Sequence, residues 1–480
     1  MVFNSFDFLV FFILTSIGYF VLNHQYRWAV LLLASCIFYM YFIPVYLLIL
    51  FLTIVIDYFA GILLENTQGK KRKWYLVASI VTNIGILAFF KYFNFFVDNL
   101  NVIGGVFGAP SILKYLPIIL PIGLSFHTFQ AMSYTIEVYR GNQKAERHFG
   151  IYSLYVMFYP QLVAGPIERP QNMLHQFHEE HYFNFDNLFS GLRWMLWGLF
   201  KKVVIADRLA IMVDHVYNGT GQSTGMEWII ATILFAIQIY CDFSGYSDMA
   251  LGSARIMGFD LMLNFKQPYF SKSIAEFWSR WHISLSTWFK DYLYIPLGGN
   301  RVKISRWYFN LFFVFMVSGF WHGANWTFII WGALHGVYLI VAEIRKRFFN
   351  QLVGFDFLNV LITFILVSFA WIFFRANSLD QAFQICSKIF MPIDASYFQI
   401  SKPDIHGQPD TILGLAKWKF LASLIVIPIL FYCDYLISTK KVNDLIKRAP
   451  IYSWSIYYIL IIIILLFGVF DTKQFIYFQF

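Results

Sequence analysis

Apolar stretches of roughly membrane-spanning length recur along the whole sequence and are separated by short polar segments. A helix needs about 20 mainly apolar residues to cross a bilayer. The stretches that reach or approach this length are 7–22, 28–50, 75–96, 112–133, 226–240, 307–320, 326–342, 357–374, 417–437 and 452–470. They predict an all-α, polytopic membrane protein with roughly 11–13 transmembrane or re-entrant helices.

The apolar stretches are continuous in some parts of the chain and interrupted in others. Residues 1–149 and 346–480 contain long apolar runs, whereas Pro, Gly, His and charged residues break the runs within 150–345. Irregular backbone at membrane depth is tolerated only inside protein or beside a water-filled cavity. We therefore expect a single membrane domain over residues 1–480, in which N-terminal helices precede a catalytic middle of broken helices and C-terminal helices lead to an aromatic tail.

Composition and charge support a membrane protein and disfavour nucleic-acid binding. Charged residues make up 13% of the 480 residues, against about 25% in soluble domains. The net charge of +9 comes from short basic groups between apolar runs, at 70–73, 140–147, 345–347 and 440–448. This positive-inside pattern places both termini outside the cytoplasm. The first segment lacks a basic start and a small-residue cleavage site, which favours a retained helix over a signal peptide.

Two histidines lie in tryptophan-rich sequences of the broken middle. His282 is in FWSRWHIS at 277–284, and His322 is in SGFWHGANW at 318–326. An ionisable side chain in or beside hydrocarbon is unfavourable and therefore indicates function. The alternative for each is a packing role with a hydrogen bond to a neighbouring helix. The sequence between them is long enough for one helix, a turn and a return, so they can meet in space.

The surroundings of the two histidines predict different local structures. Apolar residues recur three and four positions apart over 272–296, which predicts an amphipathic helix that carries His282. Gly319 and Gly323 flank the Trp-His pair and leave space either for close helix packing or for a ligand beside the imidazole of His322.

Two further stretches of the middle are candidates for the site. Three prolines within 159–170 exclude a continuous helix, and indicate a bent or re-entrant segment or a simple loop. The stretch 240–248 carries Asp242, Asp248 and two serines directly after an apolar run. Either carboxylate could orient a histidine, or these residues could end one helix and cap the next.

These residue types suit acyl transfer to a hydroxyl group. Histidine is the side chain best matched to general-base work near neutral pH. A hydroxyl that attacks an activated acyl group needs such a base, and a second group that orients it or stabilises the oxyanion. A His-Glu-x-x-His motif is absent, and the four cysteines show no paired spacing, so we expect neither a metal site nor a disulfide framework.

The stretches 277–301 and 318–336, together with 159–170, 240–248 and the ending FIYFQF, resemble the membrane-bound O-acyltransferase (MBOAT) family, and within it the bacterial alginate O-acetylase branch. The resemblance implies a ring of helices around a thin centre, with funnels open to the cytoplasmic and extracytoplasmic faces. It implies an O-acyltransferase of the inner membrane that passes acetyl groups across the bilayer for O-acetylation of an exported polysaccharide such as alginate.

The resemblance also implies roles for individual residues and ligands. The family's near-invariant histidine matches His322 and implies the base, while its second polar position matches His282 and implies an orienting or transition-state group. Weaker candidates for supporting roles are Asp242, Trp281, Trp321 and Asn325. The implied donor is acetyl-CoA or another acyl thioester, with no permanently bound cofactor. The implied partner is an extracytoplasmic esterase-like acyltransferase that completes transfer to the sugar.

The aromatic ending at 475–480 has two interpretations. It can lie in an interfacial aromatic belt. Alternatively, it folds back into the outer funnel, where it docks a partner or presents Tyr477 as a transient acyl acceptor.

Several other functions remain open on the sequence alone. Peptidoglycan O-acetylation and D-alanyl transfer to teichoic acid would use the same fold. A secondary transporter with a histidine proton relay belongs to another class, and inverted internal repeats, which we do not find, would indicate it. A non-catalytic assembly scaffold is the remaining alternative.

Overall fold

The structure, a computed structural model, describes residues 1–108, 113–163, 165–219, 223–348, 355–391, 411–413, 415–438, 450–470 and 475–476. Its α-helices are α1 Phe6–Val21, α2 His24–Met40, α3 Leu47–Asn66, α4 Gly69–Val106, α5 Leu124–Arg140, α6 Phe149–Met157, α7 Tyr159–Leu162, α8 Pro170–His178, α9 Phe185–Leu199, α10 Asp207–Tyr217, α11 Gly225–Ile256, α12 Ile274–Arg280, α13 Ile283–Phe289, α14 Ile304–His322, α15 Trp326–Phe348, α16 Asp356–Arg375, α17 Leu379–Ile389, α18 Lys417–Ser438 and α19 Pro450–Phe467.

Shorter elements complete the described part of the chain. Two segments, Phe200–Ala206 and Lys290–Tyr294, are π-helical, and Pro44–Tyr46 and Pro268–Phe270 form 3₁₀ turns. A two-stranded antiparallel hairpin pairs β1, Thr411–Ile412, with β2, Leu415–Ala416. The prediction of an all-α architecture is confirmed, since the hairpin adds only these short strands.

Six of the helices in the described ranges are long and apolar enough to cross a membrane. They span Pro44–Asn66, Gly69–Val106, Gly225–Ile256, Trp326–Phe348, Asp356–Arg375 and Trp418–Ile437. Two shorter apolar helices are Phe6–Val21 and Trp454–Phe467. Many large apolar side chains of these helices, such as Leu48 and Leu466, are exposed at the protein surface. Extensive apolar surface of this kind marks contact with a membrane.

The chain forms two compact units, of which the first contains residues 1–195 and 247–263. Its helices are tied by buried polar groups. Asp57 of α3 accepts hydrogen bonds from Ser79 and Asn83 of α4, at 2.6 and 2.8 Å. Such bonds are needed because an unpaired carboxylate in an apolar core is strongly destabilising. As the prolines predict, the helix is interrupted across 159–170, where α6 ends before Pro160 and α8 begins at Pro170.

The second unit contains residues 196–246 and 264–480, and includes both candidate histidines. Its core is aromatic and is built around the fully buried tryptophans Trp281, Trp331 and Trp371. Helices α14 and α15 form a hairpin that packs closely at glycine. A Cβ added to Gly332 would lie 2.2 Å from the carbonyl oxygen of Phe315, so only glycine fits at this crossing.

The structure corrects the prediction for 240–248. These residues do not end a helix, because α11 runs unbroken from Gly225 to Ile256. Two of their polar side chains are bound from a neighbouring segment, in which Lys202 pairs with Asp242 and Lys201 donates to Ser244. With these groups satisfied, the helix has no need to stop. Gly245 permits the close approach, since a Cβ there would lie 2.7 Å from the Gly198 carbonyl oxygen.

The predicted amphipathic helix over 272–296 is also wrong in one respect. The helix is broken between Arg280, where α12 ends, and Ile283, where α13 begins. The main-chain groups at the break are hydrogen-bonded outside the helix. The main-chain N–H of Lys266 donates to the Arg280 carbonyl, and the main-chain N–H of Ile283 donates to the Asn264 carbonyl, each at 2.9 Å. Helical periodicity alone does not reveal these partners, since they come from a preceding irregular segment.

Candidate functional site

His322 is the last residue of α14, directly before the turn into α15. Gly323 follows in an extended conformation, at φ −162°, and ends the helix. The imidazole is buried and ringed by aromatic groups. Its centroid lies 4.9 Å from Trp331, 4.9 Å from Trp321 and 5.4 Å from Phe374. The end of α14 therefore places the His322 imidazole in a cluster of aromatic rings within the second unit.

The glycines beside His322 serve packing. A Cβ at Gly319 would lie 2.3 Å from the Phe328 carbonyl oxygen, so this glycine allows α14 to contact α15. A Cβ at Gly323 would lie 2.1 Å from the Phe328 ring, which already fills the adjacent space. Of the two possibilities predicted for these glycines, the structure favours close packing.

His282 lies in the break between α12 and α13, in a left-handed conformation at φ 42° and ψ 55°. This conformation is disfavoured for a residue with a Cβ, and such residues concentrate at functional sites. Asn264 holds the segment that follows: its carboxamide oxygen accepts from the Ser284 hydroxyl at 2.6 Å. The His282 imidazole is fully buried, and its centroid is 4.6 Å from the Phe243 ring.

A continuous set of tryptophans connects the surroundings of the two histidines. Trp331, which contacts His322, stacks on Trp371 with centroids 5.7 Å apart. Trp371 contacts Trp281 at 5.2 Å, and Trp281 directly precedes His282 in the chain. Both imidazoles thus belong to the same aromatic core of the second unit. Both tryptophans that were predicted to support the histidines lie here: Trp281 belongs to this set, and Trp321 contacts the His322 ring.

The remaining supporting residues have other described contacts. The Asn325 side-chain oxygen accepts from the Thr327 main-chain N–H at 3.0 Å, which is the role of a helix N-cap for α15. The carboxylate of Asp242 does not bond to a histidine in the described part of the chain. It binds Lys202 Nζ at 2.7 Å and accepts the Ile476 N–H at 2.8 Å. Asp242 therefore joins α11 to the C-terminal residues.

The structure adds a third imidazole that the sequence did not single out. His335 of α15 is fully buried, and its Nδ1 accepts the indole N–H of Trp278 at 3.2 Å. Its Nε2 has no hydrogen-bond partner among the described residues. The ring lies 5.0 Å from Trp331, which also contacts His322. A histidine between two glycines in an apolar run was the available signal, and these glycines are Gly332 and Gly336.

Described residues at the end of the chain also reach this core. Phe475 is fully buried, and its ring lies 5.7 Å from Phe243, the residue whose ring contacts His282. Ile476 is buried as well. Buried side chains at these positions do not suit an interfacial aromatic belt. Tyr477, predicted as an acyl acceptor or docking residue, lies outside the described residues.

A half-open groove of about 380 Å³ lies on the same unit, beneath the broken helix. Its walls are largely apolar and include Trp278 and Val314. Polar groups among the lining residues are the hydroxyls of Ser279, Ser286 and Ser318 and the ammonium group of Lys290. Ser318 is one turn before His322 on α14, and Trp278 is the residue that bonds to His335. The size and the few polar groups are typical of a small-molecule site.

Comparison with known proteins identifies a family. Residues 16–379 match the family described as MBOAT, membrane-bound O-acyltransferase family. The probable alginate O-acetylase AlgI of Pseudomonas aeruginosa is 42% identical over 401 residues, which cover 81% of this chain and 75% of that protein. The peptidoglycan O-acetyltransferase of Helicobacter pylori is 39% identical over 407 residues, which cover 77% of this chain and 76% of that protein.

A more distant similarity joins a third kind of protein. The teichoic acid D-alanyltransferase of Streptococcus thermophilus is 32% identical over 259 residues. This match covers 50% of this chain and 60% of that protein.

Proposed function

The chain belongs to the membrane-bound O-acyltransferase family, and from this premise we propose that it passes acetyl groups from a cytoplasmic thioester across the inner membrane for O-acetylation of an exported polysaccharide such as alginate. It is a multi-pass membrane O-acyltransferase. The acetyl group and the polysaccharide acceptor are proposed because extensively matching relatives carry the names alginate O-acetylase and peptidoglycan O-acetyltransferase.

The observation that carries the proposed chemistry is the pair of buried imidazoles in one aromatic core. We assign His322 as the general base and His282 as the group that orients the acceptor or stabilises the oxyanion. The acceptor oxygen attacks the thioester carbonyl while His322 takes the hydroxyl proton. The carbon–sulfur bond then breaks, and the leaving thiolate receives that proton from His322. A desolvated aromatic surrounding strengthens each of these electrostatic interactions.

The proposed donor is acetyl-CoA or another acyl thioester. The groove beneath α12 and α13 supports this choice, because its apolar walls suit an extended acyl-thioester arm. Hydroxyl groups of Ser286 and Ser318 offer partners for amides in such an arm, and Lys290 offers a cation for phosphate. We propose no permanently bound cofactor.

The proposed partner is an extracytoplasmic esterase-like acyltransferase that completes transfer to the sugar. The basic groups between apolar runs support an orientation with both termini outside the cytoplasm. In that orientation the C-terminal residues lie on the side where the partner and the polysaccharide are. Phe475 is buried beside Phe243, which contacts the His282 imidazole, so the described C-terminal residues reach the core that holds this histidine.

Peptidoglycan is the second candidate acceptor, because the Helicobacter relative matches over a similar share of this chain. The two are separated by offering membranes and the partner either deacetylated alginate chains or deacetylated peptidoglycan strands. Acetyl ester on alginate alone supports the proposed acceptor, and ester on peptidoglycan alone replaces it. D-alanyl transfer is less favoured, since the alanyltransferase match covers only half of this chain.

The catalytic assignment is tested with histidine variants in membranes given labelled acetyl-CoA. We expect His322→Ala to lower transfer by about 100- to 10,000-fold, because general-base catalysis contributes that much. His282→Ala should also lower it. His175→Ala, which removes an exposed imidazole of α8, is the matched control and should transfer at the parent rate. Transfer at the parent rate by His322→Ala would exclude His322 as the base.

The same variants separate the alternatives from other classes. A scaffold would tolerate both histidine substitutions and fail only when the C-terminal residues are removed. A transporter with a histidine relay would accumulate a free solute and leave no acetyl ester. Either pattern would contradict the proposed enzyme.

A further inference from the structure

We propose that Asp242 is a positioning residue that holds the C-terminal segment in the core of the second unit by accepting the main-chain N–H of Ile476. The contact itself is independent of the proposed function, while its consequence for acetyl transfer rests on that function.

The contact between the Asp242 carboxylate and the Ile476 N–H, called the anchor below, is part of a buried ion cluster. Lys202 Nζ lies 2.8 Å from Asp207 Oδ1 and 2.7 Å from Asp242 Oδ1. The three side chains are only 1–3% exposed. Buried charges are stable only when they are paired and their remaining lone pairs are hydrogen-bonded. Two carboxylates share one ammonium here, so the cluster needs further donors.

One further donor comes from the end of the chain. The Ile476 N–H donates to Asp242 Oδ2 at 2.8 Å, while the 2.7 Å ion pair with Lys202 is made by Oδ1. A main-chain donor imposes no side-chain requirement at position 476, so the contact fixes the backbone. It therefore holds the main chain at Ile476 against α11.

The neighbouring ring contacts fix the residue before it. Phe475 packs against Tyr246 at 4.5 Å and against Phe243 at 5.7 Å, both one helical turn or less from Asp242 on α11. Phe243 in turn contacts the His282 imidazole at 4.6 Å. One phenyl ring thus separates the anchored segment from His282. Asp242 acts through this placement and does not itself touch the reacting groups.

Residues that precede Ile476 in the chain are also bound close to Lys202 in the sequence. The Val469 N–H donates to the Val203 carbonyl at 2.9 Å, and Arg208 donates to the Phe467 carbonyl. Val203 lies in the π-helical segment Phe200–Ala206, which also carries Lys202. Contacts at Phe467, Val469 and Ile476 therefore hold the described C-terminal residues against one surface, which is formed by residues 200–208 and α11.

The anchor is tested by the reactivity of a cysteine placed within it. The four native cysteines are replaced by alanine, and Ile476→Cys is introduced, which keeps the main-chain N–H. The detergent-purified protein is then reacted with a maleimide. We expect slow labelling, because position 476 is buried, and at least a tenfold faster rate after Asp242→Ala.

Asp434→Ala is the matched control for loss of a buried carboxylate. Asp434 is buried and accepts the Tyr240 hydroxyl at 2.7 Å, so it is a second buried carboxylate that is bonded to α11. Its labelling rate should stay at the parent value. Equal labelling with and without Asp242→Ala, or an equal increase in both variants, would overturn the anchor. Monodisperse elution on size exclusion checks that each variant is folded.

A second pair of variants leaves the ion cluster intact. Ile476→Pro removes the donated N–H, whereas Ile476→Ala removes side-chain atoms and keeps it. We expect Ile476→Pro to lower kcat for acetyl transfer at least tenfold more than Ile476→Ala, with an unchanged KM for the donor. Equal kcat values would contradict a positioning role. Absence of transfer in the parent protein, with slow labelling at position 476, would contradict the proposed function and leave the anchor standing.

Discussion

His282 combines a buried imidazole with a backbone that disfavours any residue except glycine. Its φ of 42° is needed because the chain must turn between α12 and α13 while Asn264 and Lys266 take up the main-chain groups at the break. This arrangement stores unfavourable backbone energy at the residue. A purely structural turn would be built more easily with glycine, and this motivates the proposed catalytic role of the His282 imidazole.

Two substitutions separate the imidazole from the backbone. We expect His282→Gly to be about 1 kcal/mol more stable than His282→Ala, because only glycine adopts this conformation without a Cβ clash. Both should lose acetyl transfer to the same extent, since both lack the imidazole. Thermal unfolding in detergent measures the first difference, and labelled transfer measures the second. Transfer recovered in His282→Gly would indicate that only the turn matters.

The sequence identifies a candidate residue more readily than it identifies the residues that bond to it in the fold. His322 and His282 were singled out as candidates because ionisable groups are unfavourable in an apolar chain. The helix break at His282 was missed, since the partners that satisfy it, Asn264 and Lys266, are in a separate segment. The role of Asp242 was missed for the same reason: Lys202 and Ile476 are distant in sequence.

At the scale of elements, the α14–α15 hairpin positions His322. Gly319 and Gly332 face each other at its closest approach, where a Cβ on either would lie 3.2 Å from the other's Cα. His322 ends one helix and Trp331, on the other, contacts its ring. The spacing between the two helices therefore sets how closely Trp331 packs against the His322 imidazole.

Enlarging one glycine should separate these helices. We expect Gly332→Ala to reduce the free energy of unfolding by about 1–3 kcal/mol, because overpacking forces backbone shifts. Acetyl transfer should fall with it as Trp331 moves relative to His322. Gly85→Ala in α4 is the control: a Cβ there meets nothing within 4 Å, so the change should be neutral or slightly stabilising. Unfolding midpoints in detergent report both values, and equal effects would argue against a packing role for Gly332.

The element pattern was largely predictable from the sequence, because a helix that crosses a bilayer requires a long apolar run. Runs such as 357–374 and 417–437 correspond closely to Asp356–Arg375 and Trp418–Ile437. The continuous helix through 240–248 was not predictable. Its polar residues look like a helix end until the ion pair with Lys202 is known.

At the scale of the whole molecule, the account requires an acetyl group to pass from one side of the membrane to the other. Under the relay hypothesis the Tyr477 phenol attacks the thioester carbonyl, His322 takes its proton, and the thiol leaves. A hydroxyl of the partner or sugar then attacks the tyrosyl ester and regenerates the phenol. Atoms and protons balance in both steps without an additional reactant.

Tyr477→Phe tests the relay, because it removes only the phenol oxygen. We expect the variant to lose extracytoplasmic acetylation, and the parent C-terminal peptide to carry an added acetyl group by mass spectrometry when the partner is absent. If Tyr477→Phe acetylates normally, the relay is excluded and a docking role for the C-terminal residues is favoured.

Transfer across the membrane is measured by the side on which the acetyl ester and the CoA are found. Sealed inside-out membrane vesicles receive labelled acetyl-CoA on the outer, cytoplasmic face, while the partner and polysaccharide are enclosed in the lumen. We expect acetyl ester in the lumen with CoA left outside, and loss of this ester in His322→Ala. Labelled acetyl-CoA or free acetate in the lumen without ester, or lumenal ester that is unchanged in His322→Ala, would contradict this expectation.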